Sequence, residues 1–509
     1  MAKISRASLF TTIVLAPLPF GSVENQWIAV WCVLLALSLG LVTTSTVSRR
    51  HFWMLVPVFA IVALFGLTLI LQSIAIPLVA DPIWAEASRL LGKDLPEIAS
   101  ASIGASWISL GSSLAFIMTF LCTYFVCTEA SRANTLLHLI GCAGLAYAVW
   151  GIGQLMFDPE NLLWDKRTAY IGDLTGTFVN RNTAATYFGS CSIVWLCLLL
   201  SELKKDLRRD GTSALLDWRV YRPSNAVSLR LAALLICLLA VFLTKSRAGT
   251  IITVAVLVVT SGIFLLRTFP TGAKSVLGLA GLLIAAGILV ELWGGLVALR
   301  ISSQGLFDES RWLAYKGTLA MIADHPWLGS GLGTFEEVFP AYRPEELASN
   351  LTWDLAHNSL LELTSDLGLP FAAAFVVLWF YIVAVLLRGC LSRRRGAKFP
   401  VAAIGVGLLG SIHSLVDFSL QIPGYAIVFA AVVACGFAQA TRAEEALRSA
   451  RSGRSGPTAR TVRKLSVAPS RQIGSLSMSD ANLESDKPNE RCRDSSKPLF
   501  SHGAVPVGP

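Results

Sequence analysis

Long apolar blocks, rather than an alternating or amphipathic rhythm, dominate this chain. Leu229–Leu243, Ile251–Leu266 and Phe371–Leu387 are nearly free of charge. Each approaches the ~20 residues with which a helix spans a ~30 Å hydrocarbon core. The pattern predicts spans near residues 8–22, 26–43, 52–72, 107–127, 135–157, 182–201, 229–244, 250–267, 275–293, 358–387, 399–417 and 424–440. Pro17 and Pro19 weaken the first of them, because proline cannot continue a helix. The expected fold is therefore an all-α polytopic membrane protein, with about twelve transmembrane helices within residues 1–440.

Two segments between spans are long. The first, about 73–106, contains Pro77, Pro82 and Pro96 and room for a short helix from Trp84 to Gly92. The second, about 294–357, includes an amphipathic stretch from Ser310 to Ala323, with Ser310 as a candidate N-cap. His325-Pro326 ends that stretch, and Gly329, Gly331 and Gly333 follow as a turn-rich run. Residues 441–509 change character: rich in Ser, Arg, Pro and Gly and poor in aromatics, they are expected to form a disordered tail whose basic residues can meet anionic head groups.

Charge orients the spans. Of 42 Lys and Arg, 19 fall in the segments on the N-terminal side, 11 on the opposite side and 12 in the tail. Arg49 and Arg50, Lys204 and Lys205, and Arg393 to Arg395 are among the main contributors. Positive residues are retained inside, so both termini are expected in the cytoplasm and the 294–357 loop on the outer face. Composition agrees with membrane residence: 54% of residues are hydrophobic and only 15% charged, against ~25% charged in soluble domains. Eight of the ten cysteines fall within or at the ends of spans, and Cys390 and Cys492 lie on the cytoplasmic side. No structural disulfide is expected. No small-residue cleavage site follows the first apolar stretch, which is expected to be retained as a span.

Candidate chemistry gathers mostly on the outer side. Asn180 and Asn182 stand at the head of the sixth span, and Lys245 and Arg247 between the seventh and eighth. Arg311 opens the amphipathic stretch, and His357 stands where the long loop re-enters the membrane. Outer cations run against the topological bias. A guanidinium offers a planar fork of donors suited to phosphate oxygens, although snorkelling to an ordinary lipid phosphate also accounts for Arg247. His357 can serve as a general base near neutral pH; were its neighbourhood helical, Asp354 would share its face and orient the ring. Taken alone, the histidine is better accounted for by a helix start whose polar side chains satisfy free backbone donors. The glycines 329, 331 and 333 lack the preceding strand and following Lys-Ser or Lys-Thr of a nucleotide loop, and no spacing of acidic residues specifies a metal.

In order, the segments N-R-N (180–182), S-R-A-G (246–249), R-W (311–312), D-H-P-W-L-G-S-G-L-G-T-F (324–335), A-H-N-S-L-L-E (356–362) and H-S-L-V-D-F (413–418) resemble the O-antigen ligase and polymerase superfamily of bacterial membranes. The resemblance covers roughly residues 176–424 and is most specific in G-x-G-x-G-T-F and A-H-N. It implies a GT-C-type, all-helical inner-membrane glycosyltransferase, inverting and independent of nucleotide sugar or metal. Such an enzyme takes a glycan from an undecaprenyl diphosphate carrier at the periplasmic face. It passes the glycan to the lipid A core (ligase) or to another carrier-linked repeat (polymerase), in lipopolysaccharide or surface polysaccharide synthesis. By position, Arg247 and Arg311 look like diphosphate-binding arginines and His357 like the histidine that activates the acceptor. Lys245, Asn180 and Asn182 are expected to help line the substrate site. The implied partners are the lipid-linked donor, a glycan or lipid A core acceptor and membrane lipid, with no nucleic acid and no cofactor. A glycan-to-protein transferase and a twelve-span secondary transporter are rivals, but transporters concentrate ionisable residues at mid-membrane, where this chain has almost none.

Overall fold

A computed structural model describes residues 1–45, 47–210, 223–268, 287, 309–347, 352–392 and 396–454. These residues are mostly helical: α1 (Ala2–Leu15), α2 (Asn25–Gly40), α3 (Arg49–Ser73), α4 (Pro82–Leu91), α5 (Ile103–Val126), α6 (Ala130–Phe157), α7 (Arg181–Asp210), α8 (Asn225–Leu243), α9 (Arg247–Thr268), α10 (Glu309–Asp324), α11 (Phe335–Val338), α12 (Ser359–Ser392), α13 (Lys398–His413) and α14 (Pro423–Arg454). The two-residue strands β1 (Asn161–Leu162) and β2 (Asp165–Lys166) pair antiparallel as a small hairpin. Among the described residues, α3, α5, α6, α7, α8, α9, α12 and α14 are long and apolar enough to cross a membrane, and α2 and α13 are shorter apolar helices. The all-helical polytopic architecture follows. The expected span 275–293 lies outside the described residues apart from Gly287; of the tail expected over 441–509, residues 441–454 continue the α14 helix and 455–509 lie outside the described residues.

The first helix differs from its expected bounds. It ends at Leu15, and Pro17 to Ser22 fold into a turn whose last residues are a 3-10 helix, Phe20–Ser22. Proline at 17 and 19 removes the amide donors that would have carried the helix on to residue 22. The Pro17 carbonyl instead accepts the Thr177 hydroxyl at 2.6 Å. The short helix of the first long loop does form, as α4. Asp81 caps it by accepting the Ile83 amide at 2.9 Å, and Gly92 ends it in the left-handed region at φ +59°. The helix expected from Ser310 begins at Glu309, so Ser310 lies inside it.

The centre of the bundle is α7 and α14, buried along 94% and 100% of their apolar stretches, whereas α3 is buried along only 22% and presents Trp53, Leu67 and Ile70 outward. Small residues let helices meet closely: Gly389 packs on Ala440 and Gly436 on Ala403. The two ends of the bundle are distinct. At one, Tyr124 donates to the His51 carbonyl at 3.1 Å, Arg230 pairs with Glu202 at 2.5 Å, and Arg442 donates to the Thr128 carbonyl at 3.2 Å. The other collects the turn at 17–22, the 158–180 segment, the α8–α9 junction, α10 and the α13–α14 connection.

A clasp holds that second end together. Gln72, at the end of α3, donates to the carbonyls of Leu328 (2.6 Å) and Asp366 (2.7 Å), and the Ala101 amide donates to the Ser330 carbonyl at 2.7 Å. The Ser330 amide reaches the Ser365 carbonyl at 2.8 Å, the Gly333 amide the Asp366 carboxylate at 2.7 Å, and the Leu369 amide the Pro326 carbonyl at 2.8 Å. The glycine run thus knits the loop to α3, to the start of α5 and to α12, which kinks at Gly368. The amides of Gly329, Gly331 and Gly333 donate to the His325 carbonyl (3.1 Å), the Asp366 carbonyl (3.2 Å) and the Asp366 carboxylate (2.7 Å).

Candidate functional site

At the clasped end the sequence-distant candidates converge on one carboxylate. Asp417, in the turn between α13 and α14, has a side chain only 1% exposed. Its Oδ2 accepts Asn182 Nδ2 at 2.5 Å and faces Arg311 Nη2 at 3.5 Å, and its Oδ1 accepts the Phe418 amide at 2.9 Å. Arg311 also donates through Nη1 to the Val416 carbonyl, which fixes the guanidinium against this turn. Asn182 in turn accepts the Ser246 hydroxyl through Oδ1 at 2.8 Å. Ser246 is the residue before Arg247, and its hydroxyl accepts the Gly249 amide at 3.2 Å at the start of α9. A buried carboxylate bonded to a guanidinium and an amide is fixed in orientation. It therefore sets where Arg311 can stand.

His357 joins this group through aromatic packing. Its ring sits edge-on to Trp353 (4.9 Å between centroids) and to Phe418 (4.8 Å), the neighbour of Asp417. The expected helical pairing with Asp354 does not form: residues 352–358 are non-helical, His357 has φ +55° and Asp354 is exposed. The Nδ1 atom instead lies 3.0 Å from the Leu355 carbonyl. A carbonyl can only accept, so Nδ1 carries the hydrogen in that bond. The Nε2 lone pair of the neutral ring is then the basic one. Tyr315 of α10 donates to the His357 carbonyl at 3.0 Å, and the Ser359 amide to the Ser414 carbonyl at 2.8 Å. The first bond ties the histidine turn to α10, and the second ties it to the connection that carries Asp417.

The remaining candidates take supporting places. Asn180 is buried and its Oδ1 accepts the Asn182 amide at 2.7 Å, an N-cap on α7. Lys245, at φ +54°, pairs with Asp173 at 2.9 Å and donates to the Gly172 carbonyl at 2.7 Å, and Arg181 reaches the other oxygen of Asp173 at 2.5 Å. Arg247 begins α9, half-buried beside Ser246. Tyr170 lies under the Arg181 guanidinium, 4.9 Å from ring centroid to Cζ. Burial raises its phenol above the ordinary range and the nearby Asp417 charge adds to the rise, while Arg181 and Arg311 oppose it. Behind Asp417, the buried His413 has Nδ1 at 3.0 Å from the Thr186 hydroxyl and 3.1 Å from that of Ser419.

Asp417 is the residue that sequence reasoning passed over. It stands in the H-S-L-V-D-F segment, yet a lone acid in a short connection carries no spacing signal. Its value comes from Arg311 and Asn182, 106 and 235 residues away in the chain. The available cue was charge balance, since cations expected on the outer side call for an acid to hold their geometry. Among the described residues no group of three or more His, Cys, Asp or Glu is placed to hold a metal ion, and none of the nine described cysteines forms a disulfide.

Residues 232–376 match the model of the O-antigen ligase family. The matched segment contains Lys245, Arg247, Arg311 and His357, and leaves Asn180, Asn182 and Asp417 outside. No curated protein matches the chain.

Proposed function

We propose that this membrane protein, which carries a domain of the O-antigen ligase superfamily, transfers a glycan from a polyprenyl (undecaprenyl) diphosphate carrier to a sugar hydroxyl at the periplasmic face of the inner membrane. The observation that carries the reading is the meeting of Arg311, Asn182 and the Ser246–Arg247 junction around Asp417, with the His357 ring packed on Phe418 beside it. Cations at a membrane-facing end, anchored by a buried acid and accompanied by a base, suit an anionic leaving group and a protic nucleophile.

The acceptor oxygen attacks the anomeric carbon of the donor. A new C–O bond forms as the bond from that carbon to the diphosphate oxygen breaks, and the electron pair leaves with the diphosphate. Arg311 and Arg247 neutralise the charge that grows on it, stabilisation realised most strongly in the transition state. The acceptor proton passes to Nε2 of His357. One displacement inverts the anomeric centre, and the cleaved diphosphate linkage supplies the driving force.

Membranes carrying Arg247→Ala, Arg311→Ala or His357→Ala, supplied with lipid-linked glycan and acceptor, provide the test. Each substitution is expected to lower transfer by at least ~10²-fold at normal protein level. Full transfer by all three would overturn the assignment. In the source organism, loss of the protein should leave full-length chains on the carrier if the acceptor is the lipid A core. Single unpolymerised repeats would mark a polymerase using the same donor.

A further inference from the structure

The same end of the bundle contains a cavity of about 220 Å³, walled by the 17–24 turn, the β1–β2 hairpin and residues 167–179. Its charged lining balances: Glu24 and Asp165 against Lys166 and Arg167. Thr168 and Thr175 add hydroxyls, and Phe20, packed edge-on to the exposed Trp164 at 4.9 Å, adds an apolar wall. Arg167 is locked rather than available, with Nε on the Asn161 carbonyl (2.8 Å) and Nη1 on that of Asp173 (2.9 Å). Asp173 is also the acid that holds Lys245 and Arg181, so one short segment ties this wall to the candidate site.

Backbone strain marks the same place. The non-glycine residues with positive φ among those described are Phe20, Ser22, Leu163, Tyr170, Lys245 and His357. Four lie in the turn, hairpin and loop around the cavity, and the other two are candidate site residues. Such conformations are uncommon and persist where surrounding structure enforces them, as at ligand sites.

We infer that this cavity is a subsite for a neutral pyranose ring of the glycan, an inference that rests on the transfer reaction proposed above. Balanced charge disfavours the diphosphate and any acyl chain, whereas carboxylates, an ammonium and hydroxyls beside an aromatic edge match a ring of hydroxyls with one apolar face. The volume is smaller than the ~300–1,000 Å³ of pockets that bury drug-sized ligands, so the site takes one ring rather than an oligosaccharide. Glu24, on the 17–24 turn, and Asp165, on β2, are both exposed and offer carboxylate oxygens that can accept hydroxyl hydrogens.

Saturation-transfer NMR on the full chain in nanodiscs, with the methyl glycosides of glucose, galactose, N-acetylglucosamine and rhamnose, tests this without any turnover. At least one glycoside is expected to bind. Its affinity should fall about tenfold or more in Glu24→Ala/Asp165→Ala, which loses two charge-assisted hydrogen bonds, and persist in Arg311→Ala. Absence of binding to all four, or undiminished binding by the double variant, would overturn the subsite. Failure of glycan transfer with binding intact would instead count against the proposed reaction alone. In the transfer assay, a raised KM for the acceptor at unchanged kcat assigns the ring to the acceptor, and a raised donor KM assigns it to the carrier-linked glycan.

Discussion

Arg311→Ala is expected to lower single-turnover glycan transfer by about 10²–10³-fold, the range seen when one preorganised donor is removed from a developing anion. Arg311→Lys should recover only part of this. An ammonium is a point charge, and it cannot hold the Val416 carbonyl and the Asp417 carboxylate through two nitrogens of a planar fork. Asp417→Asn keeps the shape of the turn but removes the charge that aims Arg311 and accepts from Asn182. It should cost roughly tenfold, and more where Arg311 is intact than where it is absent. If Asp417 acts through Arg311, the double variant Arg311→Ala/Asp417→Asn will be scarcely worse than Arg311→Ala alone, because effects within one network do not add. Additive losses from the two single changes would show that Asp417 contributes separately, and would remove its assigned positioning role. Lipid-linked glycan at saturating concentration, with protein level matched by immunoblot, gives the comparison.

How far the sequence revealed this arrangement depends on the kind of interaction. Apolar blocks are local, so the helices are readable from them. Where α1 departs from its expected span, the two prolines that weakened it supply the reason. The candidate cations were legible because, on the orientation expected from the sequence, they oppose a charge bias that needs no three-dimensional information. Their organisation was not. Asp417 meets Arg311 only after α12 and α13 have been laid across the bundle, and nothing near residue 417 announces that partner. His357 shows the complementary failure. A histidine three residues after an aspartate suggests a helical pair, but the turn adopts a left-handed backbone and seats the ring between two aromatics. The glycine run was visible as turns. Its role as backbone clasp required knowledge that α12 kinks opposite it.

That clasp predicts the largest stability effect. Gly329 (φ +71°) and Gly368 (φ +81°) face one another's chains: a Cβ on Gly329 would lie 2.6 Å from the Leu367 amide nitrogen, and one on Gly368 would lie 2.6 Å from the Trp327 carbonyl carbon. Neither obstacle is the tip of a flexible side chain, so the backbone itself must move. Left-handed strain of ~1–2 kcal/mol and an overpacking cost of ~1–3 kcal/mol make each Gly→Ala destabilising by on the order of 3 kcal/mol. The double variant should cost less than the sum, since one separation of the two chains relieves both clashes. The bonds lost with that separation include Ser330 to Ser365 and Leu369 to Pro326, which fix the first turns of α12 and through them the His357 turn beside Phe418. Protein that remains folded should therefore transfer glycan slowly, with the defect in kcat. Gly153→Ala, where a Cβ meets nothing within 4 Å near the C-terminal end of α6, serves as the control and should be neutral or slightly stabilising. Thermal midpoints of the detergent-solubilised variants report the outcome. Wild-type midpoints for Gly329→Ala and Gly368→Ala would mean that the two chains do not approach as closely as described, and the placement of His357 against Asp417 would fall with them.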